Sequence, residues 1–253
     1  MRITILQTDI KWAQPEDNMV AADRIISQAP DSDLYILPEM WSTGFITNTS
    51  NLDDGQNALK WMKETSERLK RAICGSIAFK VEDGRFYNRL FFIKPYGNTT
   101  FYDKRHLFTY GGENKYYNKG NERVIVEYMG IRFMLQTCYD LRFPLAMRNN
   151  EDYDAIIIVA NWPESRQNVW QLLTRARAIE NQCYLIGANR VGNDLYNKYI
   201  GRSAIIDAKG KTIVQAFTDK EQSITADIDI DSLNKFRQKF PVLKDRDLIP
   251  LIK

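Results

Sequence analysis

Three side chains of this sequence stand where an apolar, strand-like run gives out: Glu39 after Ile36-Leu37-Pro38, Lys104 after Phe101-Tyr102-Asp103, and Cys138 after Phe133-Met134-Leu135-Gln136-Thr137. Folds that mix strands and helices place their sites at such strand ends. A carboxylate, an ammonium and a thiol supply a base, a cation and a nucleophile, which suits attack on the carbonyl of a small amide. A thiol attacks poorly until it loses its proton, so the chemistry needs a base and a positive group that favours thiolate. Glu39 can take the Cys138 proton and return it to the leaving amine, releasing ammonia and leaving a thioester for water to hydrolyse. The oxyanion of each tetrahedral intermediate can be met by the Lys104 ammonium and the Tyr139 backbone N–H, donors of a kind worth about 3 to 4 kcal/mol each. Neither a metal nor an organic cofactor is required by this scheme.

The composition narrows the alternatives. There is one histidine, His106, so schemes built on an imidazole base have a single possible carrier. It sits in Lys104-Arg105-His106-Leu107-Phe108, where it has either a structural hydrogen-bonding role or a supporting role at the site. The three cysteines Cys74, Cys138 and Cys183 form no CxxC pair, which fits neither a disulfide framework nor a zinc site. Cys74 lies inside a strand-like run and Cys183 at a helix end, where buried cysteines act as small inert hydrophobes. Cys138 differs because it precedes Tyr139-Asp140-Leu141-Arg142-Phe143-Pro144, a turn leading toward a helix start whose N–H groups and arginine would favour thiolate. Taken singly, each has a commoner reading, Glu39 as a solvated loop residue and Lys104 as surface charge.

These residues need a framework. At 253 residues and 44% hydrophobic content, the chain can bury a core as a single domain over 1–253, with a tail from about 241 expected to pack on a partner subunit or to fray. The 35 basic and 32 acidic residues are scattered along it for a net charge of +3, so no basic stripe suits nucleic acid. Apolar runs such as 155–160 are strand-sized, too short to span a membrane, and Met1-Arg2-Ile3-Thr4-Ile5-Leu6 lacks the long apolar stretch of a signal peptide. A cytoplasmic location is the expectation. Strand-like runs recur from 3–7 to 212–216, separated by helical patterns opening at Pro15, through Leu59, Met62, Ser66 and Leu69, and from about Ser165. In the last of these, Val169, Leu172, Leu173, Ala176 and Ile179 mark the expected buried face. Turns at 82–85, 95–98, 129–130 and 208–211 join neighbouring strands as hairpins, so the sheets must be mixed. Asp33 to Trp41 and Asp154 to Pro163 read alike, each an aspartate, a buried strand and an aromatic-proline end, which suggests two related sheet halves.

Pro38-Glu39-Met40-Trp41, the segment Tyr102 to Phe108 and the segment Cys138 to Pro144, in this order and spacing, resemble the nitrilase superfamily of carbon–nitrogen hydrolases. The likeness continues through Ala160-Asn161-Trp162-Pro163, Arg175 to Gln182 and Gly201-Arg202-Ser203. It implies an α/β fold of the four-layer αββα sandwich type with mixed sheets, a homodimer, and a catalytic triad of Glu39, Lys104 and Cys138. It also implies a second glutamate, best matched by Glu113, that orients Lys104 and helps place the substrate carbonyl or water. Within the superfamily the chain is most similar to bacterial omega-amidases, which act on 2-oxo acid amides such as 2-oxoglutaramate; Phe236 to Pro241 strengthens that likeness. The resemblance then gives Arg142 the substrate carboxylate and Trp162 a pocket wall; otherwise Arg142 forms an ion pair with Asp140 or Glu180. The competing readings are an N-carbamoyl-amine amidohydrolase or nitrile hydrolyser with the same triad, and a non-catalytic dimeric binding protein.

Overall fold

The computed structural model describes residues 1–49, 52 and 54–247. Its strands are β1 Arg2–Gln7, β2 Leu34–Ile36, β3 Ala72–Lys80, β4 Phe86–Ile93, β5 Thr99–Asp103, β6 Ile125–Tyr128 and β7 Ile131–Thr137. They continue with β8 Ala155–Ala160, β9 Tyr184–Asn189, β10 Val191–Asn193, β11 Lys198–Ile200, β12 Ala204–Ile206, β13 Thr212–Gln215 and β14 Gln222–Asp227. The helices are α1 Pro15–Gln28, α2 Gln56–Leu69, the short α3 Pro144–Met147, α4 Gln167–Glu180 and α5 Ile230–Lys239.

Two six-stranded sheets result, ordered β14-β1-β2-β3-β4-β5 and β13-β12-β9-β8-β7-β6. Side chains alternate along each strand. One set (Ile5, Ile36, Cys74, Phe92 from the first sheet; Phe133, Leu135, Ile157, Ile186 from the second) fills the space between the sheets. The other set faces outward, where Tyr35, Ile73 and Phe91 meet the Ala22, Ile25 and Met62 positions of α1 and α2. On the opposite side, Met134, Ile156 and Leu185 meet Trp170 and Ala178 of α4. The order of layers is therefore helix, sheet, sheet, helix, the expected αββα sandwich.

The sheets are mixed as the hairpin turns required: β3-β4, β4-β5, β6-β7 and β12-β13 pair antiparallel. β1-β2-β3 and β7-β8-β9 pair in parallel. Read from β14 to β5 and from β6 to β13, the two sheets have the same sequence of parallel and antiparallel neighbours. The matching aspartates do matching work. Asp33 Oδ2 accepts from the Arg2 N–H at 2.8 Å and Asp154 Oδ2 from the Arg132 N–H at 3.1 Å, each tying a strand start to its parallel neighbour.

Three details depart from the sequence reading. The buried face of α4 consists of Gln167, Trp170, Thr174, Arg177 and Ala178, while Leu172 and Ile179 are 67% and 51% exposed. Val169 and Leu173 of the expected face do pack against the core beneath α4, but much of the inner face consists of polar groups that find partners, as Arg177 does on the Leu141 carbonyl. The hairpin β10-β11, the edge strand β14 and α5 are additional elements, with few buried apolar side chains to announce them. The tail beyond Pro241 packs on its own chain as far as 247: Leu243 is buried, and Arg246 pairs with Glu151 at 2.8 Å; its last residues, 248–253, lie outside the described residues.

Ile157 sits centrally between the sheets, so Ile157→Ala should cost about 2 to 5 kcal/mol of stability. Urea unfolding should show a lower midpoint at unchanged slope, and a loss below about 1 kcal/mol would mean that the inter-sheet core is not close-packed there.

Candidate active site

Glu39 follows β2 and reaches the site on a loop anchored from behind. Met40 takes φ 43°, an uncommon conformation for a side chain with a Cβ, and its N–H donates to Ser76 Oγ at 2.8 Å. Ser76 in turn donates to Asn88 Oδ1 at 2.9 Å, which leaves the Asn88 amide N–H groups for the two buried carboxylates. Asn88 Nδ2 donates to Glu39 Oε1 at 2.7 Å and to Glu113 Oε1 at 3.0 Å. Lys104 follows β5, and its backbone continues the pairing through Asn88 and Gly120. A Cβ at Gly120 would stand 2.2 Å from the Asp103 carbonyl oxygen, so only glycine permits that approach.

The Lys104 ammonium, fully buried, donates to Glu39 Oε1 at 2.8 Å and to both Glu113 oxygens at 3.1 and 2.9 Å. Glu113 also accepts from the Phe108 N–H at 2.6 Å. Burial alone would lower the lysine, but the Glu113 and Glu39 carboxylates hold its pKa above the ordinary value. Burial raises Glu113, against the pull of Lys104.

Cys138 ends β7 at a sharp bend, with φ 46°, and starts a 3₁₀ turn running to Arg142. Asp140 locks this turn to the lysine strand: its Oδ2 accepts from the Thr137 N–H at 3.0 Å and the Tyr102 hydroxyl at 2.8 Å. Its Oδ1 accepts from the His106 backbone N–H and meets His106 Nδ1 at 2.7 Å. The His106 ring stacks on Phe143 at 3.9 Å. The lone histidine therefore fastens two loops together and does not line the pocket.

Asn161, at the end of β8, joins the halves. Its N–H donates to Glu39 Oε2 at 2.8 Å, its side-chain amide to the Glu39 carbonyl at 2.6 Å, and its own carbonyl faces Cys138 Sγ at 4.0 Å. A cavity of about 330 Å³ opens over these groups, lined by Glu39, Lys104, Cys138, Tyr139, Arg142 and Trp162. Of the residues given a catalytic or substrate-binding role from sequence, Glu113 stands outside this lining, behind Lys104, as His106 does beside Asp140. The Arg142 guanidinium lies 5.3 Å over the Trp162 ring. It takes neither ion pair considered above, since Asp140 is occupied by Tyr102, Thr137 and His106, and Glu180 pairs with Arg177.

A carbon-nitrogen hydrolase family profile matches residues 2–238. The chain belongs to the carbon-nitrogen hydrolase family. Omega-amidase YafV of Yersinia enterocolitica is 39% identical over 254 residues, covering 100% of this chain and 99% of its own. The 2-oxoglutaramate amidase of Bacillus subtilis is 32% identical over 253 residues, 96% of each chain. A CN-hydrolase superfamily protein of Xanthomonas campestris, solved with an arsenic adduct in its active site, is 38% identical. It matches with a TM-score of 0.95 over 99% of this chain and 98% of that one. This carbon-nitrogen hydrolase is thus a hydrolytic enzyme, which removes the reading of a non-catalytic binding protein.

Two features of the site differ from or exceed the sequence reading. Burial first, and then the adjacent Glu39 carboxylate, push the Cys138 thiol of this carbon-nitrogen hydrolase well above its ordinary value, and Lys104 only partly opposes them. The arginine and turn N–H groups expected to favour thiolate act against that desolvation and against two carboxylates sharing a single ammonium. Ser76 and Asn88 were not singled out from sequence, Asp140 figured there only as an alternative partner for Arg142, and Asn161 only within a motif. Asn88 carried a usable signal, an asparagine inside the apolar run Phe86–Ile93, where asparagine is disfavoured unless its amide is engaged.

A resting enzyme at neutral pH should therefore lack the ultraviolet absorbance of a thiolate in a difference spectrum against Cys138→Ser, and should acquire it only above pH 9.0, the ordinary value for the thiol. A full thiolate band at pH 7 would contradict this electrostatic reading.

Proposed function

We propose that this chain is an omega-amidase, hydrolysing the amide of small 2-oxo acid monoamides such as 2-oxoglutaramate to the acid and ammonia. The observation that carries the reading is one cavity lined by Glu39, Lys104 and Cys138, with Glu113 behind the lysine, and by an arginine with no carboxylate partner among the described residues. The likeness over whole chains to relatives named omega-amidase and 2-oxoglutaramate amidase supports the same substrate class.

In this reading Cys138 is the nucleophile and Glu39 the base that removes its proton as the sulfur attacks. A neutral thiol beside an ionised carboxylate suits that coupling, because the proton moves as the C–S bond forms and no exposed thiolate has to be maintained. The proton then goes to the leaving amine, ammonia departs, and water attacks the thioester with Glu39 again as base. Lys104 and the Tyr139 N–H face the oxyanion. Glu113 keeps the ammonium charged and aimed, and helps place the carbonyl or the water. Arg142 pairs with the substrate carboxylate and Trp162 forms the wall behind it.

An ammonia-release assay over a 2-oxo acid amide, a neutral amide of equal length and a carbamoyl amine tests this. The acidic amide should have by far the highest kcat/KM, and Cys138→Ala should abolish its turnover. Glu39→Gln and Lys104→Met should each cost orders of magnitude, with strongly non-additive losses in the double variant. A preferred carbamoyl amine would reassign the substrate, and single losses under tenfold would reassign the triad.

The chain also acts, in this proposal, as a single domain over 1–253, in the cytoplasm and as a homodimer. The exposed apolar ridge of Leu172 and Ile179 on α4 supports the dimer, because an apolar stripe on an outer helix is a surface that gains by being covered. Leu172→Glu should shift the sedimentation of the protein toward monomer; an unchanged profile would place any interface elsewhere.

A further inference from the structure

The cavity over Cys138 is lined by a second arginine. Arg166 ends the 3₁₀ turn Glu164–Arg166 that leads into α4, and like Arg142 it reaches the lining. Each guanidinium lies over an aromatic ring of the same pocket, Arg142 5.3 Å from the Trp162 centroid and Arg166 5.3 Å from that of Phe108. Neither makes a side-chain hydrogen bond or ion pair among the described residues. Trp162 connects them: its ring carries Arg142, and its indole N–H donates to the Arg166 carbonyl at 2.8 Å.

The other charges of the pocket are already taken. Glu39 and Lys104 bind each other, with Glu113 behind. Asp194 is committed to its own hairpin, accepting from the Tyr196 and Asn197 N–H groups at 2.7 Å each and from the Tyr199 hydroxyl at 2.5 Å. Glu164, two residues from Arg166, points to Lys198 at 3.4 Å. What remains is a pair of planar cations, held on ring faces with all their donor edges unspent. A guanidinium stacked in this way keeps its in-plane N–H fork free for an oxygen-rich partner. One carboxylate satisfies one fork. A 2-oxo acid head offers a third, neighbouring oxygen.

We infer that Arg166 is a second specificity-determining residue, which together with Arg142 grips the acid head of a substrate whose amide meets Cys138 in the same cavity. This rests on the omega-amidase reading and deepens it: the site requires a carboxylate flanked by a further oxygen acceptor, and the two arginines divide those oxygens. A charge-pairing pocket discriminates steeply against an analogue lacking the charge, since its donors are then desolvated without partners.

The test uses the full-length enzyme and the ratio of kcat/KM for the 2-oxo acid amide to that for a neutral amide of equal length. Arg166→Met should lower this ratio by tenfold or more, mainly through KM for the acidic amide, and Arg142→Met should do the same. Arg166→Lys should restore part of the loss. Lys198→Met, which removes a neighbouring surface charge outside the pocket lining, serves as the control for long-range electrostatics and should leave the ratio within about twofold. A ratio that survives Arg166→Met, a ratio that falls equally in Lys198→Met, or an equal loss on both amides overturns the inference while leaving the omega-amidase reading in place. A wild-type enzyme without preference for the acidic amide overturns both.

Discussion

One ammonium sealed from water between two carboxylates organises this molecule. Lys104, Glu39 and Glu113 are all fully buried, and each would cost several kcal/mol to desolvate alone. They are tolerable only because every one of their contacts is made: two carboxylates on the lysine, the Asn88 amide on both carboxylates, and the N–H groups of Phe108 and Asn161 on the remaining oxygens. Removing one member of such a set typically costs about 3 to 5 kcal/mol, because the charges left behind stay buried. The β-sandwich supplies what the cluster demands. Glu39, Asn88 and Lys104 come from the first sheet, while Cys138 and Asn161 come from the second. Packing the sheets face to face therefore closes the cluster and brings the sulfur to it in one step.

The same arrangement determines how the thiol is used. Burial, and with it the two carboxylates around a single ammonium, opposes a further negative charge and pushes the Cys138 thiol above its ordinary value. In the proposed mechanism, a nucleophile kept neutral at rest would be protected from adventitious alkylation and oxidation, which proceed through thiolate. Attack would then depend on a substrate carbonyl whose developing oxyanion the ammonium can receive, so the field that restrains the resting thiol would help once charge moves from sulfur to oxygen. The strained φ of Cys138 and the Asp140 clamp beneath it hold the turn that carries the thiol. Such strain costs about 1 to 3 kcal/mol and persists only where the surroundings over-determine it.

The legible part of this fold was what strand periodicity and strand ends encode. Ala155–Ala160 is a continuous apolar run, as a strand buried on both faces must be, and Glu39, Lys104 and Cys138 stand out because each follows a strand-like run with an apolar centre. The related halves showed through Asp33 and Asp154, whose short reach to the neighbouring strand is a local matter. Roles that depend on distant partners were hidden. Asn161 means little until its N–H is found on Glu39, 122 residues away, and Ser76 is an ordinary strand serine until it turns the Asn88 amide. The α4 face was legible only in part: Val169 and Leu173 pack inward, but the inner side also holds Gln167, Thr174 and Arg177, and Leu172 and Ile179 lie on the outside. The charge state of Cys138 was misread for a related reason: it is a sum over groups that only the folded chain brings together.

The central claim, that the buried cluster exists to pass the Cys138 proton to Glu39 and leave an acyl group on sulfur, is tested most directly by acid-quenched single-turnover mass spectrometry with a 2-oxo acid amide. The account predicts that the Cys138 peptide transiently gains the mass of the substrate minus ammonia, and that Glu39→Gln shows no such gain on the time scale of wild-type turnover. Product forming while the Cys138 peptide stays unmodified throughout, or an acyl group found on another side chain, would contradict it.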